Sequence, residues 1–271
     1  MRGLAELGFS DKHLGLVRDI LGKPRGIVLV TGPAGAGKAT TLYSALAHLA
    51  GSEKNILTVE ERVEHQIPTV RQTQIRPETG FTFGTAIRSL LRQAPDVIMI
   101  SEMRDAETAQ LALRAAQSGI LVLSALPIPD TSAAVPRLIE MGLEPYLLAS
   151  GLVGVIGQRL MRAMCADCKA PVTYPPDTLA KAGLAADSGI VFYKGQGCDA
   201  CGGTGYRGHT GAFEVLVVDE TINALIRERA DSKRIKQAAV SAGMTTLVAD
   251  AMTKAIFGRT TIEEALRIAS E

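Results

Sequence analysis

An apolar run over residues 26–31 (Gly-Ile-Val-Leu-Val-Thr) passes into Gly32-Pro33-Ala34-Gly35-Ala36-Gly37-Lys38-Ala39-Thr40-Thr41 and then into a helix-forming stretch over 42–49. Strand, glycine loop and helix in that order are what give such a loop its physical meaning. Gly32, Gly35 and Gly37 let successive backbone N–H groups converge on an anion. The helix N-terminus adds partial positive charge, and Lys38 reaches the terminal phosphates of a nucleotide. Residues 32–41 are therefore the candidate nucleotide-binding segment. The alternative, a turn that merely joins strand to helix, is disfavoured by the lysine and the flanks. A hydroxyl normally follows the lysine and ligates Mg²⁺, but Ala39 stands there. Thr40 lies about 100° further round the helix, so its hydroxyl points elsewhere. A magnesium ion would have to rely on waters, phosphates and a carboxylate.

From residue 26 to about 161, short β-rich runs alternate with amphipathic segments, which predicts an α/β fold with a largely parallel sheet. The expected strands are 27–31, 56–60, 97–101 and 120–125. Phe83, Ile87, Leu90 and Leu91 recur at helical spacing, and Asp105 reads as the N-cap of a helix that Gly119 ends. A further helix is expected from about residue 131. The run 96–102 is a buried strand ending in Glu102, the place for a carboxylate that holds Mg²⁺ or polarises water. Glu60 likewise ends a strand and is the candidate general base. Arg88 and Arg92, four residues apart on the helix before that strand, would stabilise phosphate charge or form a solvated face. None of the four histidines falls in a metal or triad spacing.

The second chemical signal is Cys165-x-x-Cys168 with Cys198-x-x-Cys201. Four thiolates make a closed tetrahedral structural zinc site with no position open for catalysis. Disulfides are the alternative, and a cytosolic setting disfavours them. The gap over 169–197 is longer than usual for such a ribbon and should carry a small insertion of its own. Helices are expected over 221–228, 232–242, 247–257 and 261–269, with Thr261 and Glu264 as a capping box. A net charge of +1 without a run of five like charges argues against a nucleic-acid groove or a polybasic membrane patch. The N-terminus lacks a signal-peptide core. The near-apolar run 146–157 is shorter than the roughly 20 residues that span a bilayer. The sequence reads as cytoplasmic.

With the glycine loop, Thr58-Val59-Glu60, the 96–102 strand followed by Arg104-Asp105, and the paired knuckles leading to Thr204-Gly205-Tyr206 and Gly208, the chain resembles the type II secretion and type IV pilus assembly ATPases, the general secretion pathway protein E family. Gln158-Arg159-Leu160, Gly243-Met244 and Thr260-Thr261 extend the resemblance, which is colinear from about residue 4 to 268. It implies a RecA-like P-loop core over 1–163, a tetracysteine zinc module over 164–212 and a C-terminal helical subdomain over 213–271. It implies ATP as ligand and a homo- or hetero-hexameric ring of family ATPases, docked through protein partners on an inner-membrane assembly platform. Further domains precede the motor in that family, so a start at Met1 implies a fragment or a shortened form.

Several positions depart from the family pattern. Ala39 replaces Ser or Thr, Glu60-Glu61-Arg62 replaces Glu-Asp-Pro, and Ser101 replaces Gly. The segment 119–130 has Ile120 and Pro127 where the family has its two histidines. The expectation is an ATP-binding motor domain with impaired hydrolysis. The alternatives are a non-catalytic subunit of such a complex and an active ATPase with a compensated site.

Overall fold

A computed structural model describes residues 2–51, 53–185 and 189–270. Ser10 caps α1 (Asp11–Leu21), its hydroxyl accepting from the His13 N–H. There follow β1 (Gly26–Thr31), α2 (Lys38–Leu49), β2 (Ile56–Glu60), β3 (Arg71–Gln74), α3 (Phe83–Leu90), β4 (Val97–Ile100), α4 (Ala106–Gln117) and β5 (Leu121–Leu126). Next come α5 (Ala134–Glu140), α6 (Pro145–Gly151) and β6 (Leu152–Met164). The remaining elements are β7 (Lys169–Val172), α7 (Pro176–Lys181), β8 (Phe192–Gly195), β9 (Tyr206–Val217), α8 (Glu220–Arg227), α9 (Ser232–Ser241), α10 (Leu247–Ile256) and α11 (Ile262–Ser270).

The chain divides into two compact units, Met1–Gln158 with Glu214–Met244, and Arg159–Phe213 with Thr245–Glu271. A seven-stranded sheet runs in the order β3-β2-β4-β5-β1-β6-β9. The pairings of β2 with β3 and β4, of β4 with β5, and of β1 with β5 and β6 are all parallel. Strands β1, β2, β4 and β5 are buried along their whole length. Both faces of a parallel sheet are covered by its crossover helices, which is why these strands read as unbroken apolar runs. Ile27, Leu29, Leu57, Val59, Ile98, Ile100 and Val122 form the middle of the first unit's core, with Ile87, Ala112, Leu138 and Leu148 packed on them from the helices. Asp105 caps α4 as expected, accepting from the Thr108 N–H.

The second unit has its own core of Met161, Leu179, Phe192, Ala212, Leu247, Ala251, Met252 and Ile262. β7 and β8 pair antiparallel within it. The helical tail expected as one subdomain from residue 213 is divided between the units. Ile222, Ile226, Ile235 and Ala239 of α8 and α9 bury into the first core, and the apolar faces of α10 and α11 form the second. Helical periodicity marks an apolar face without saying which core receives it. Glu264 makes one half of the expected capping box, its N–H donating to the Thr261 hydroxyl at 3.4 Å. Its carboxylate serves Arg162, accepting from the backbone N–H at 2.8 Å and Nε at 2.9 Å.

Lys254 and Asp250 form a buried ion pair in the second unit. Lys254 Nζ donates to Asp250 Oδ2 at 2.5 Å and to Gly211 O at 2.6 Å, and Asp250 Oδ2 accepts from the Phe213 N–H at 2.8 Å. Burial pulls the Lys254 ammonium below its ordinary pKa, against the opposing pull of the Asp250 charge. Removing one partner of such a pair strands the other charge. Lys254→Met should therefore lower stability by about 3 kcal/mol in urea denaturation, and an unchanged midpoint would mean the pair adds nothing.

Candidate functional sites

The glycine loop leaves the end of β1, where Thr31 is fully buried, and turns at Gly37 into α2. Gly37 is the helix N-cap with φ 86°, in the left-handed region a side chain resists. Lys38 Nζ donates to the carbonyls of Gly32 and Pro33, both at 2.9 Å. The Ala36 N–H donates to Pro33 O at 3.2 Å. Pro33, Ala34, Gly35, Ala39 and Thr40 are exposed, whereas Ala36 and Thr41 are buried. The Thr41 hydroxyl faces inward and donates to Gln158 Oε1 at 2.7 Å; Gln158 Nε2 in turn donates to Ala36 O at 2.6 Å. The first turn of α2 thus points its N-terminus, with its positive end, at the loop.

Beside the loop is a cavity of about 200 Å³ whose lining includes Ala39, Tyr43, Glu60, Arg62, Ser101 and Glu102. Strand order brings these residues together, because β2 pairs with β4 so that Val59 lies opposite Ile100. Glu60 and Glu102 therefore emerge at the same sheet edge. Glu60 is buried and both its oxygens accept hydrogen bonds, one from the Tyr43 hydroxyl and the other from the Thr58 hydroxyl and from Gln72 Nε2 at 3.0 Å. Burial, reinforced by the bond to Glu60, pushes the Tyr43 phenol up to about 12, so it stays a donor. The same phenol oxygen accepts from the Glu64 N–H at 3.0 Å.

Glu102 pairs with Arg104, whose Nε lies 2.7 Å and Nη2 2.5 Å from Oε2. Arg104 Nη2 also reaches Glu61 at 3.0 Å. The bond to Glu102 raises the Arg104 pKa further above its ordinary value. Arg88 pairs with Glu107 at 2.6 Å, and Arg92 is exposed on a 3-10 turn, Leu91–Gln93. Neither arginine is among the residues lining the cavity. Ile120 is buried, and Pro127 and Ile128 follow the end of β5. Asp130 accepts from Ser132 Oγ at 2.8 Å and the Ala133 N–H at 2.9 Å. Burial is the largest single influence and acts upward, but these bonds and the nearby Lys236 charge together outweigh it and hold the carboxyl below its ordinary pKa.

In the second unit the sulfurs of Cys165, Cys168, Cys198 and Cys201 lie within 4.8 Å of one another. Separations of 3.9 Å for Cys165–Cys198 and 3.8 Å for Cys168–Cys201 are those of unbonded sulfurs. The N–H groups of Cys198 and Gly205 each donate to Cys201 Sγ at 3.2 Å. The two knuckles approach through bare backbone: a Cβ on Gly195 would fall 2.1 Å from Gly205 O. Four sulfurs so arranged could hold one tetrahedral metal ion.

Sequence reasoning gave Tyr43, Thr58, Gln72 and Gln158 no site role. Tyr43 falls on the apolar face of α2, where an aromatic residue reads as core. Gln158 and Gln72 are reached only through strands whose positions the sequence left unassigned. Among the described residues no helix is long and apolar enough to cross a membrane.

The Type II/IV secretion system protein family matches residues 1–267. The type IV pilus assembly ATPase PilB of Thermus thermophilus is 44% identical over 265 residues, covering 97% of this chain and 30% of that protein. Type II secretion system protein E of Pectobacterium carotovorum is 40% identical over 265 residues, covering 98% of this chain and 53% of that protein. The chain thus spans between about a third and about half of these relatives. Among solved structures, the pilus retraction motor PilT with bound ADP matches with a TM-score of 0.74 at 26% identity, covering 100% of this chain and 68% of that one. The Legionella pneumophila ATPase DotB matches with a TM-score of 0.72 at 20% identity, covering 100% and 66%, a likeness of fold. The α/β, RecA-like class expected from the sequence is the observed one.

Removing the Tyr43 hydroxyl leaves a buried carboxylate short of one donor. Tyr43→Phe should cost about 2 kcal/mol of stability, the scale for a hydrogen bond to a charged group, measured by chemical denaturation. A loss within experimental error would mean that Glu60 is satisfied by its other donors.

Proposed function

Because the chain belongs to the Type II/IV secretion system protein family, we propose that it is the nucleotide-binding motor domain of a type II secretion or type IV pilus assembly ATPase, with impaired hydrolysis. The observation that carries this reading is a contrast. Residues 32–41 form a glycine loop held by Lys38 and Gln158 at the start of α2, which supports a phosphate cradle, while the carboxylates beside it are engaged with protein groups. Lys38 and the loop amides bind the phosphates of ATP, and Gly32, Gly35 and Gly37 permit their close approach. Glu60 is the general base of the reading and Glu102 the acid that orients water. Both oxygens of Glu60 already accept hydrogen bonds, and Glu102 is held by Arg104.

The donors for a magnesium ion are incomplete in this chain. Ala39 offers a methyl group to the cavity, the Thr41 hydroxyl is turned to Gln158, and Ser101 Oγ accepts from the Glu61 N–H at 3.2 Å. Arg88 and Arg92 contribute only if another subunit's nucleotide meets them, which accords with a homo- or hetero-hexameric ring on an inner-membrane platform, at its cytoplasmic side. Engagement of Glu60 also favours a second reading, a non-catalytic subunit that enters mixed rings with an active relative. Co-purification with such a relative supports it, and a solitary monomer counts against it.

Purified protein should bind ATP in titration calorimetry, and Lys38→Ala should abolish that binding. Phosphate release should run about a thousandfold below the roughly ten per second typical of enzymes. Turnover at or above about one per second would overturn the impaired-hydrolysis reading. Ala39→Ser separates causes: a strong gain points to the missing hydroxyl, and no gain points to the segment around Pro127.

Cys165, Cys168, Cys198 and Cys201 are the ligands of a structural zinc ion in this proposal, supported by the sulfur cluster. Bound zinc would tie the knuckles together and do no chemistry, since no coordination position stays open. Elemental analysis should give one zinc per chain, and Cys198→Ser should lose it together with thermal stability. Full stability after exhaustive chelation would refute a structural metal.

A further inference from the structure

A phosphate cradle works only if its peptide planes are turned so that N–H groups face the ligand. In a trans peptide the carbonyl of one residue and the N–H of the next point in opposite directions. No described peptide is cis, so whatever fixes the Ala36 carbonyl also fixes the Gly37 N–H. The Ala36 carbonyl accepts from Gln158 Nε2 at 2.6 Å. Gln158 is buried, 2% exposed, on β6. Its own amide is held by the Thr41 hydroxyl, which donates to Oε1 at 2.7 Å, and Thr41 is 1% exposed. A carbonyl can only accept, so the amide has one consistent orientation: Nε2 to Ala36 and Oε1 to Thr41.

We infer that Gln158 is a positioning residue of the nucleotide site, a clamp that turns the peptide between Ala36 and Gly37 so that the Gly37 N–H faces the phosphates. The inference rests on the nucleotide-binding reading above and deepens it. Three neighbouring facts favour it. The carbonyls of Gly32 and Pro33 have their own donor in Lys38, whereas the buried Ala36 receives its donor from outside the loop and helix, at Gln158. Gly37 carries no Cβ and sits at a positive φ, so its side of this peptide is conformationally free and an external hold has something to do. Thr41 lies one turn into α2, so the clamp ties the loop to the helix whose N-terminus completes the cradle.

The chemical class recognised at this point is a polyphosphate oxygen, and inorganic pyrophosphate is its minimal probe. Titration of pyrophosphate into ¹⁵N-labelled protein should move the Gly37 amide proton downfield as it becomes a donor to phosphate. Gln158→Met fills the same space without a donor. In that variant the Gly37 shift should be lost and pyrophosphate should bind about tenfold more weakly, the scale of one buried hydrogen bond. Thr41→Val, which keeps the shape of Thr41, should give a smaller effect of the same kind, and Thr41→Ser should behave as the unaltered protein.

A purely structural role would lower the melting temperature of Gln158→Met and leave the Gly37 response intact at saturating pyrophosphate. That result overturns the inference. Should Gln158→Met fail to fold, Thr41→Val carries the decision, and an unaltered Gly37 response in it likewise overturns the clamp. If the unaltered protein binds neither ATP nor pyrophosphate, the nucleotide-binding reading itself falls and this inference with it. Binding of ATP with no change in the variants removes the clamp alone.

Discussion

Parallel pairing fixes where the strand-end side chains of the first unit's central sheet emerge. The register sets Val59 beside Ile100, Ile100 beside Ser124, and Ser124 beside Leu29. One row of the sheet therefore crosses β2, β4, β5 and β1 just before their carboxyl ends. Glu60, Ser101 and Thr31 lie one or two residues past that row, on the edge where open α/β sheets bind ligands. The strands themselves are buried on both faces and mostly apolar, Thr58 and Ser124 being the polar residues inside β2 and β5. Charge gathers at the carboxyl ends of these strands, beginning with the buried Glu60 at the last position of β2.

What gathers at this edge is largely engaged by protein groups. Arg104 spans Glu61 and Glu102, and Tyr43, Thr58 and Gln72 surround Glu60. The two sets differ in consequence. Arg104 and Glu61 are more than half exposed, so solvent screens their pairing and the geometry is cheap to rearrange. Glu60 is buried, and breaking its bonds leaves a desolvated carboxylate without donors. The base candidate is thus held more firmly than the acid candidate. That asymmetry supports the proposed reading, in which the loop binds nucleotide and hydrolysis is slow.

The chain made its central strands and its loop legible because burial on both faces demands unbroken apolar runs. The strands expected over 27–31, 56–60, 97–101 and 120–125 differ from β1, β2, β4 and β5 by at most a residue at either end. β3 was hidden because an edge strand of Arg71-Gln72-Thr73-Gln74 carries no apolar pattern. β6 was hidden for the opposite reason: the apolar run 146–157 passes from α6 into β6 with no polar break to mark the change. The site followed the same logic. Glycines, lysine and strand-end carboxylates have motif spacing, but Gln158 reaches Ala36 across 122 positions of sequence, which only the fold can bring together.

The cysteine cluster depends on a similar reunion, achieved by a different device. A long gap between knuckles should cost closure entropy, though that cost rises slowly with length. Here the intervening chain folds on itself: β7 pairs with β8, setting Lys169 opposite Gly195, and the Gln196 N–H donates to Cys168 O at 3.0 Å. Cys168 and Cys198 thus flank the same, open end of one antiparallel pair. The length of the insertion matters little once that register is set, because the excess residues lie beyond the paired strands. Gly195 and Gly205 then allow the backbones to close in where any side chain would collide. A spacing that looks irregular in the sequence is therefore compatible with a regular sulfur tetrad, and the ribbon pattern fails as a guide only because it counts residues that the hairpin has already folded away.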